Sequence, residues 1–416
     1  MDDQNYIIEI CKKAKEASVA IGKLSTRDKN NILLEIASSL VNSKELIKKE
    51  NEKDIASARA DGLSDAMIDR LLLDDSRIED MASSVREIAE FEDCVGRIEN
   101  MKMMPSGIRV GQMRVPLGVV AVIFESRPNV TIDIAALSIK SGNACILRGG
   151  KEAINSNIVL HGIVAATLHK LGFSENIVSL ISKTGRELVN ILLKQREYID
   201  VVIPRGGEGL IKMVTENSLI PVLKHDKGLC HIFVDESADN NMASRIAINA
   251  KVQRPGVCNA LETLLIHKNY PHKESLLKSL LDQKVELRGC AETVKLLPEK
   301  IMPASQEDWD TEYLELILSV KIVDGLDAAM EHIARHGSEH SEAILTNDYK
   351  NSERFLREVD SAAVFVNAST RFHDGGEFGL GAEVGISTEK LHARGAMGAS
   401  GLTTLKYIVY GHGEVR

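Results

Sequence analysis

The sequence predicts an α/β protein built on two parallel sheets, and three features carry that expectation. Short apolar runs alternate with helical stretches through most of the chain beyond residue 116. Glycine–cation clusters fall where several of those runs end. No repeat, proline-rich linker or low-complexity tract separates one series from the next. Repeated βα units of this length favour parallel strands covered by helices on both faces, with ligands gathered at the carboxyl ends of the strands.

At 416 residues the chain is long enough for two or three domains with buried cores. Hydrophobic residues at 44% and charged residues at 27% are ordinary for a globular protein and exclude a disordered one. The net charge of −9 gives no electrostatic reason to expect nucleic acid or an anionic membrane as partner. An anionic substrate would need a local basic pocket. The six cysteines (Cys11, Cys94, Cys145, Cys230, Cys258 and Cys290) lie far apart without metal-ligand spacing, so reduced thiols are expected and no metal. The first residues lack the apolar segment of a signal peptide, and the longest unbroken apolar run, Val119 to Phe124, is too short to span a bilayer. A cytoplasmic location is expected.

The first hundred residues read as helices. Ile7, Ile10, Ala14, Ala17 and Ile21 recur at three- to four-residue spacing, as do Ile32, Ile36 and Leu40. Ser25-x-x-Asp28 and Ser76-x-x-Glu79 have the form of capping boxes. Residues 107–115 then alternate strictly, predicting an exposed strand or ribbon that ends at Pro116. A first βα series follows, with strands at 118–124, 144–148, 177–181 and 200–204 and helices near 131–141, 153–171 and 185–195. A second begins with a strand at 231–235 and a helix near 238–250. It continues through strands at 263–267, 285–289, 317–323, 343–346 and 363–367. A last strand is expected within 401–411. The two sheets are expected to pack with the active site between them.

Cys258 is the strongest candidate for chemistry. It follows Arg254-Pro255-Gly256, which end a helix and allow a tight turn, and it precedes a strand. A thiol there, near a cation and free backbone N–H groups, can ionise and attack a carbonyl. The bland alternative is a small inert core residue, the reading that fits Cys11 and Cys145. RGGK (148–151) and RGGEG (205–209) each put a cation and glycines where a strand gives way to a helix, a pattern suited to phosphate. Plain turn glycines beside a solvated arginine are the alternative, and no G-x-G-x-x-G or P-loop motif is present. His336, His340 and Glu342 in HGSEHSEAI read as polar turn residues rather than a zinc pair, because Gly337 and Ser338 interrupt the helix. DGGEFGLGAEVGIST (374–388) is either a loop closing over a site or a solvated surface loop.

Five long segments carry a resemblance. They are residues 115–153, VVIPRGGEGLI (201–211), KVQRPGVCNALETLLIH (251–267), HGSEHSEAI (336–344) and residues 367–395. Together they resemble the γ-glutamyl phosphate reductases, within the aldehyde dehydrogenase superfamily. One departure is GAMGASGLTT (395–404), where a proline is expected after the first glycine. The resemblance implies an aldehyde dehydrogenase-like fold with a Rossmann-type cofactor domain (1–100 and 117–226) and an α/β catalytic domain (227–366). It also implies an oligomerisation element (101–116 and 397–416), with the Gly-rich segment 367–396 returning to the cofactor domain.

The same resemblance implies NADPH-dependent reduction of L-glutamyl 5-phosphate to glutamate 5-semialdehyde, in proline biosynthesis, through a thioester on Cys258. Asn129 is then the candidate oxyanion amide. Arg148 takes the place of a cofactor lysine and Glu315 that of the glutamate holding the nicotinamide ribose. Gly149, Lys151, Arg205, Gly206 and Gly207 complete the cofactor set, with Arg148 and Lys151 favouring the 2′-phosphate. A homo-oligomer, and association with glutamate 5-kinase, are the implied protein partners. PVLKHDKGLCH (221–231) lacks the glutamate with which hydrolytic relatives activate water, which suits an enzyme that must protect its thioester. Two alternatives stay open: an acylating enzyme using a CoA thioester or another acyl phosphate, and a catalytically silent scaffold.

Overall fold

The computed structural model describes residues 2–224, 227–380 and 382–416. The chain divides into two compact units. One comprises residues 1–224, 379–385 and 397–416, the other residues 225–378 and 386–396.

The first unit opens with helices α1 (Asp3–Ile21), α2 (Thr26–Asn42), α3 (Lys44–Ala60), α4 (Asp65–Leu71) and α5 (Asp75–Glu90). The apolar stripe of α1 is buried at Ile7, Cys11, Ala14, Ala17 and Ile21. Ser25 and Asp28 form the expected capping box on α2. The start of α5 differs from expectation. Asp74, not Ser76, accepts from the N–H of Arg77, because Asp74 is the residue before the helix, where a side chain can reach the first free amides, and Ser76 already lies inside it.

Strands β1 (Ile98–Met103) and β2 (Arg109–Pro116) precede a four-stranded sheet of β3 (Val119–Phe124), β4 (Ala144–Arg148), β5 (Val178–Leu180) and β6 (Val201–Arg205). The order is β5-β4-β3-β6, parallel throughout. All six residues of β3 are buried, as its unbroken apolar run requires. Helices α6 (Asn129–Lys140), α7 (Ile154–Lys170), α8 (Glu187–Leu192) and α9 (Glu208–Asn217) complete the βα units.

The second unit carries a seven-stranded sheet, also parallel. Its strands are β7 (Cys230–Val234), β8 (Leu261–His267), β9 (Glu286–Gly289), β10 (Met302–Pro303), β11 (Ile317–Val323), β12 (Ser341–Leu345) and β13 (Ala363–Val366). They run in the order β10-β9-β11-β8-β7-β12-β13. Helices α10 (Asn240–Val252), α11 (Lys273–Asp282), α12 (Ala291–Leu296), α13 (Leu326–His336) and α14 (Tyr349–Glu358) flank it. One face of the sheet packs Ile232, Leu264 and Val320 against Ala247 and Leu277, and the other packs Phe233, Leu265 and Ile344 against Ile333 and Phe355.

The segment 367–396 is shared: 379–385 belongs to the first unit and the remainder to the second. It contains β14 (Gly385–Ser387), which pairs with β15 (Gly395–Met397). The last strand, β16 (Thr403–Tyr410), pairs antiparallel with β2, and β2 with β1. The ribbon predicted at 107–115 is thus the middle of a three-stranded sheet, and its neighbour β1 carries no local strand signal because its sequence, IENMKM, lacks strict alternation.

Candidate active site

In the second unit α10 stops at Val252, and residues 253–260 turn back into the fully buried strand β8. Cys258 sits in that connection, half-buried. Its backbone is pinned by the residues leading into β7. The Cys230 thiol donates to the Cys258 carbonyl at 3.1 Å. Gly228 lies against the same peptide so closely that a Cβ there would stand 2.0 Å from the Cys258 oxygen. Only glycine fits. The Gly228 N–H in turn donates to Glu312 Oε1 at 3.0 Å.

A buried ion pair ties the two ends of the connection together: Lys251 Nζ, on the last turn of α10, lies 2.8 Å from Glu262 Oε2 on β8. Burial pushes the Glu262 carboxyl up to about 7, outweighing the pull of Lys251, and pushes Lys251 down. Asn259, beside the nucleophile candidate, donates to the carbonyl of His373 and accepts from Arg371. Among the other thiols, burial holds Cys11 and Cys145 up at about 12 and Cys230 well above its ordinary value. Cys290 is part-exposed, but its sulfur lies 3.2 Å from Thr293 Oγ1 and accepts from the N–H of Ile322.

Glu315 is exposed just ahead of β11. The acid that joins the surroundings of Cys258 is Glu312, through Gly228.

In the first unit the remaining candidates gather at the carboxyl ends of β3, β4 and β6. Asn129 opens α6 and donates to Asp133 at 2.8 Å. Burial raises Asp133 to about 6, against the charge of Arg205 and the Asn129 hydrogen bond. Arg148 folds back onto the chain, donating to the carbonyls of Gly149 at 3.0 Å and Thr184 at 3.1 Å. Gly149 is buried against Asn157 and Phe124. Lys151, in the helical turn 151–153, is exposed. Arg205 donates to the carbonyl of Glu383 at 2.9 Å. Gly206 and Gly207 lead into α9, where the Gly207 N–H donates to Glu125 Oε2 at 2.9 Å. A Cβ on Gly206 would meet the same oxygen at 2.4 Å, so the turn admits an anionic oxygen only because it is glycine.

The polar-turn reading of HGSEHSEAI is corrected. His336 ends α13, but His340 and Glu342 are wholly buried at the start of β12. Glu342 Oε2 accepts from the His231 N–H at 2.8 Å and lies 3.1 Å from His231 Nδ1. His340 Nδ1 and His373 Nδ1 flank Ser341 Oγ at 2.8 and 2.7 Å. Single-residue spacing cannot show this network, because its members come from β7, β12 and the segment after β13. Among the described residues no group of three or more His, Cys, Asp or Glu side chains is placed to hold a metal ion.

The model of the aldehyde dehydrogenase family matches residues 2–289. The chain belongs to that family. It is therefore an oxidoreductase of the aldehyde dehydrogenase type. It is 54% identical, over 100% of both chains, to γ-glutamyl phosphate reductase of Geobacter sp. strain M21. The crystal structure of γ-glutamyl phosphate reductase from Thermotoga maritima matches with a TM-score of 0.96 and 43% identity, over 99% of each chain. An acetylating aldehyde dehydrogenase from Geobacillus thermoglucosidasius shares the fold at a TM-score of 0.70 and 18% identity, over 100% of this chain and 98% of that one. The fold is that of the aldehyde dehydrogenases. Among the described residues, no helix is long and apolar enough to cross a membrane.

Proposed function

We propose that the chain reduces L-glutamyl 5-phosphate to glutamate 5-semialdehyde, in proline biosynthesis, with NADPH as cofactor and Cys258 as nucleophile. The observation that carries this reading is the half-buried Cys258 held in a connection pinned by Gly228 and Cys230. Full-length likeness to named γ-glutamyl phosphate reductases supports the substrate.

A phosphate-bearing cofactor fits the strand ends of the first unit. The Glu125 carboxylate on the Gly207 N–H stands in for a phosphate oxygen there, and Lys151 is an exposed cation two strands away in the same sheet. Lys151, Arg205, Gly206 and Gly207 would hold the group. Gly149 backs the turn, and Arg148 shapes it through the carbonyls it binds. On the second unit the ribose contact expected of Glu315 is reassigned to Glu312. NADPH, when bound, supplies the hydride that reduces the acyl group.

Cys258 Sγ attacks the γ-carbonyl carbon. The S–C bond forms, the C–O bond to phosphate breaks, and the electron pair leaves with the phosphate. Backbone N–H groups of the connection, with the Asn129 amide, hold the oxyanion of the tetrahedral intermediate. After reduction the thiohemiacetal collapses, and the thiol is freed with the aldehyde. The sheet of β1, β2 and β16, with Met103, Tyr407 and Val409 exposed, is the proposed surface of self-association.

The test is phosphate-dependent reduction of NADP by glutamate semialdehyde, with acetyl-CoA and other acyl donors assayed in the reductive direction. Cys258→Ala should abolish turnover and leave NADPH binding intact. Appreciable residual turnover, or a preference for CoA thioesters, would reject the reading.

A further inference from the structure

Arg371 stands out among the cations of the second unit. Arg288, Arg354 and Arg394 each pair with carboxylates. Arg371 does not. Its Nε donates to the side-chain oxygen of Gln253 at 2.9 Å, and its Nη1 donates to that of Asn259. Gln253 begins the connection that carries Cys258, and Asn259 is the residue after it, so one guanidinium spans the loop of the nucleophile. Thr370, its neighbour, donates to the Asn259 carbonyl at 2.8 Å and fixes the clamp from the backbone side.

Both hydrogen-bond partners are neutral amides, so the guanidinium is held in place without a carboxylate bonded to it, and Asp374 acts on it only through space. Three of the five guanidinium N–H bonds have no acceptor among the described residues, and the side chain is only half-buried. Burial draws its proton affinity below the ordinary guanidinium value. Asp374 raises it, Arg254 lowers it, and Cys258 and Cys230 follow, so a second guanidinium and the candidate nucleophile lie within its electrostatic reach. The Asp374 carboxylate accepts from the Gly376 N–H at 2.9 Å. Arg254 is exposed.

We infer that Arg371, with Arg254 beside it, is the subsite for the phosphoryl group of the acyl phosphate. This deepens the proposed reaction and rests on it. The phosphoryl group is one oxygen away from the carbon that Cys258 Sγ bonds, whereas the α-carboxylate of a glutamyl substrate is three further carbons away. A guanidinium clamped to the residue after the nucleophile therefore meets the phosphoryl group first. Its planar fork matches phosphate oxygens, and two guanidinium charges suit a dianion. As the C–O bond breaks, the electron pair goes to the phosphate oxygen, and Arg371 stabilises the charge that develops there.

The experiment uses the full chain in two arms. In the first, phosphate-dependent NADP reduction by glutamate semialdehyde is measured for wild type, Arg371→Met, Arg371→Lys and Arg254→Met. Arg371→Met should raise KM for phosphate roughly 10- to 100-fold, the range of a lost hydrogen bond to a charged group, with KM for the semialdehyde within about twofold. Arg371→Lys should recover part of it, and Arg254→Met should show a smaller shift of the same kind. In the second arm, inorganic phosphate should slow alkylation of Cys258 by iodoacetamide in wild type but not in Arg371→Met, with no turnover involved. A rise confined to the semialdehyde KM would assign Arg371 to the α-carboxylate and overturn the inference. So would a fall in kcat with phosphate KM unchanged, the mark of a mere loop clamp. If wild type turns over no phosphate, the reaction reading falls. Protection of Cys258 by phosphate then still decides the subsite.

Discussion

Lys251 and Glu262 meet at 2.8 Å in full burial, one on the helix before Cys258 and the other on the strand after it. The pair closes the base of the connection that carries Cys258, the proposed nucleophile. Removing Lys251 alone, as in Lys251→Met, leaves a buried carboxylate unpaired and should lower stability by about 3–5 kcal/mol in urea unfolding at alkaline pH, where Glu262 is ionised. A loss under about 1 kcal/mol would mean that the pair does not hold the connection.

Glu262 also makes a pH prediction. Its carboxyl is raised to about 7 from an ordinary 4.5, so the folded chain binds this proton more tightly than the unfolded one. The resulting stabilisation is complete below about 4.5 and drains away as pH rises through about 7. The stability difference between wild type and Glu262→Gln should therefore shrink across that window on going upward in pH. A difference that is flat or grows would contradict the burial argument.

Thiol chemistry should be selective. Iodoacetamide on the native chain should label Cys258 well ahead of Cys11, Cys145 and Cys230, whose protons burial holds tightly. Peptide mapping after brief exposure reads this directly. Labelling of Cys230 at a comparable rate would show that the packing around the Cys258 carbonyl is looser than described.

Gly228→Ala places a methyl group 2.0 Å from the Cys258 oxygen, and one of the two must move. A displacement of about 1 Å at a nucleophile costs on the order of 100-fold in rate, so kcat should fall by about that factor with the cofactor KM little changed. Wild-type kcat in this variant would mean that the Cys258 backbone position is unimportant.

The two cations of RGGK should separate by role. Lys151→Met should raise KM for NADPH about tenfold, some 1.4 kcal/mol, and leave KM for NADH within about twofold. Arg148→Met should act mainly on stability, since its guanidinium binds the carbonyls of Gly149 and Thr184. The reverse pattern would return the 2′-phosphate to Arg148.

Strands with short apolar runs were readable to within a residue or two, as with β3 and β4, because burial on both faces leaves one solution for such a run. Cys258 was readable from its helix–turn–strand setting. Arg371 was not singled out, although its segment was, since nothing local says that it reaches Gln253 and Asn259 more than a hundred residues earlier. Glu312 and Glu315 both precede β11, and what separates them is tertiary: Glu312 accepts from the Gly228 N–H, and Glu315 is exposed. His340 looked like a turn residue because its neighbours are polar. Its burial comes from partners on other elements. Local pattern fixes periodicity and caps, whereas long-range polar contacts belong to the tertiary fold.

At the proposed cofactor site, the Glu125 carboxylate on the Gly207 amide would make nucleotide capture an exchange rather than an addition. A phosphate arriving at that turn must evict an internal competitor already tethered at high local concentration. Some intrinsic affinity is forfeited, and the departing nucleotide is replaced at once by the protein's own anion. Such a built-in rival would favour rapid release of spent cofactor over tight retention.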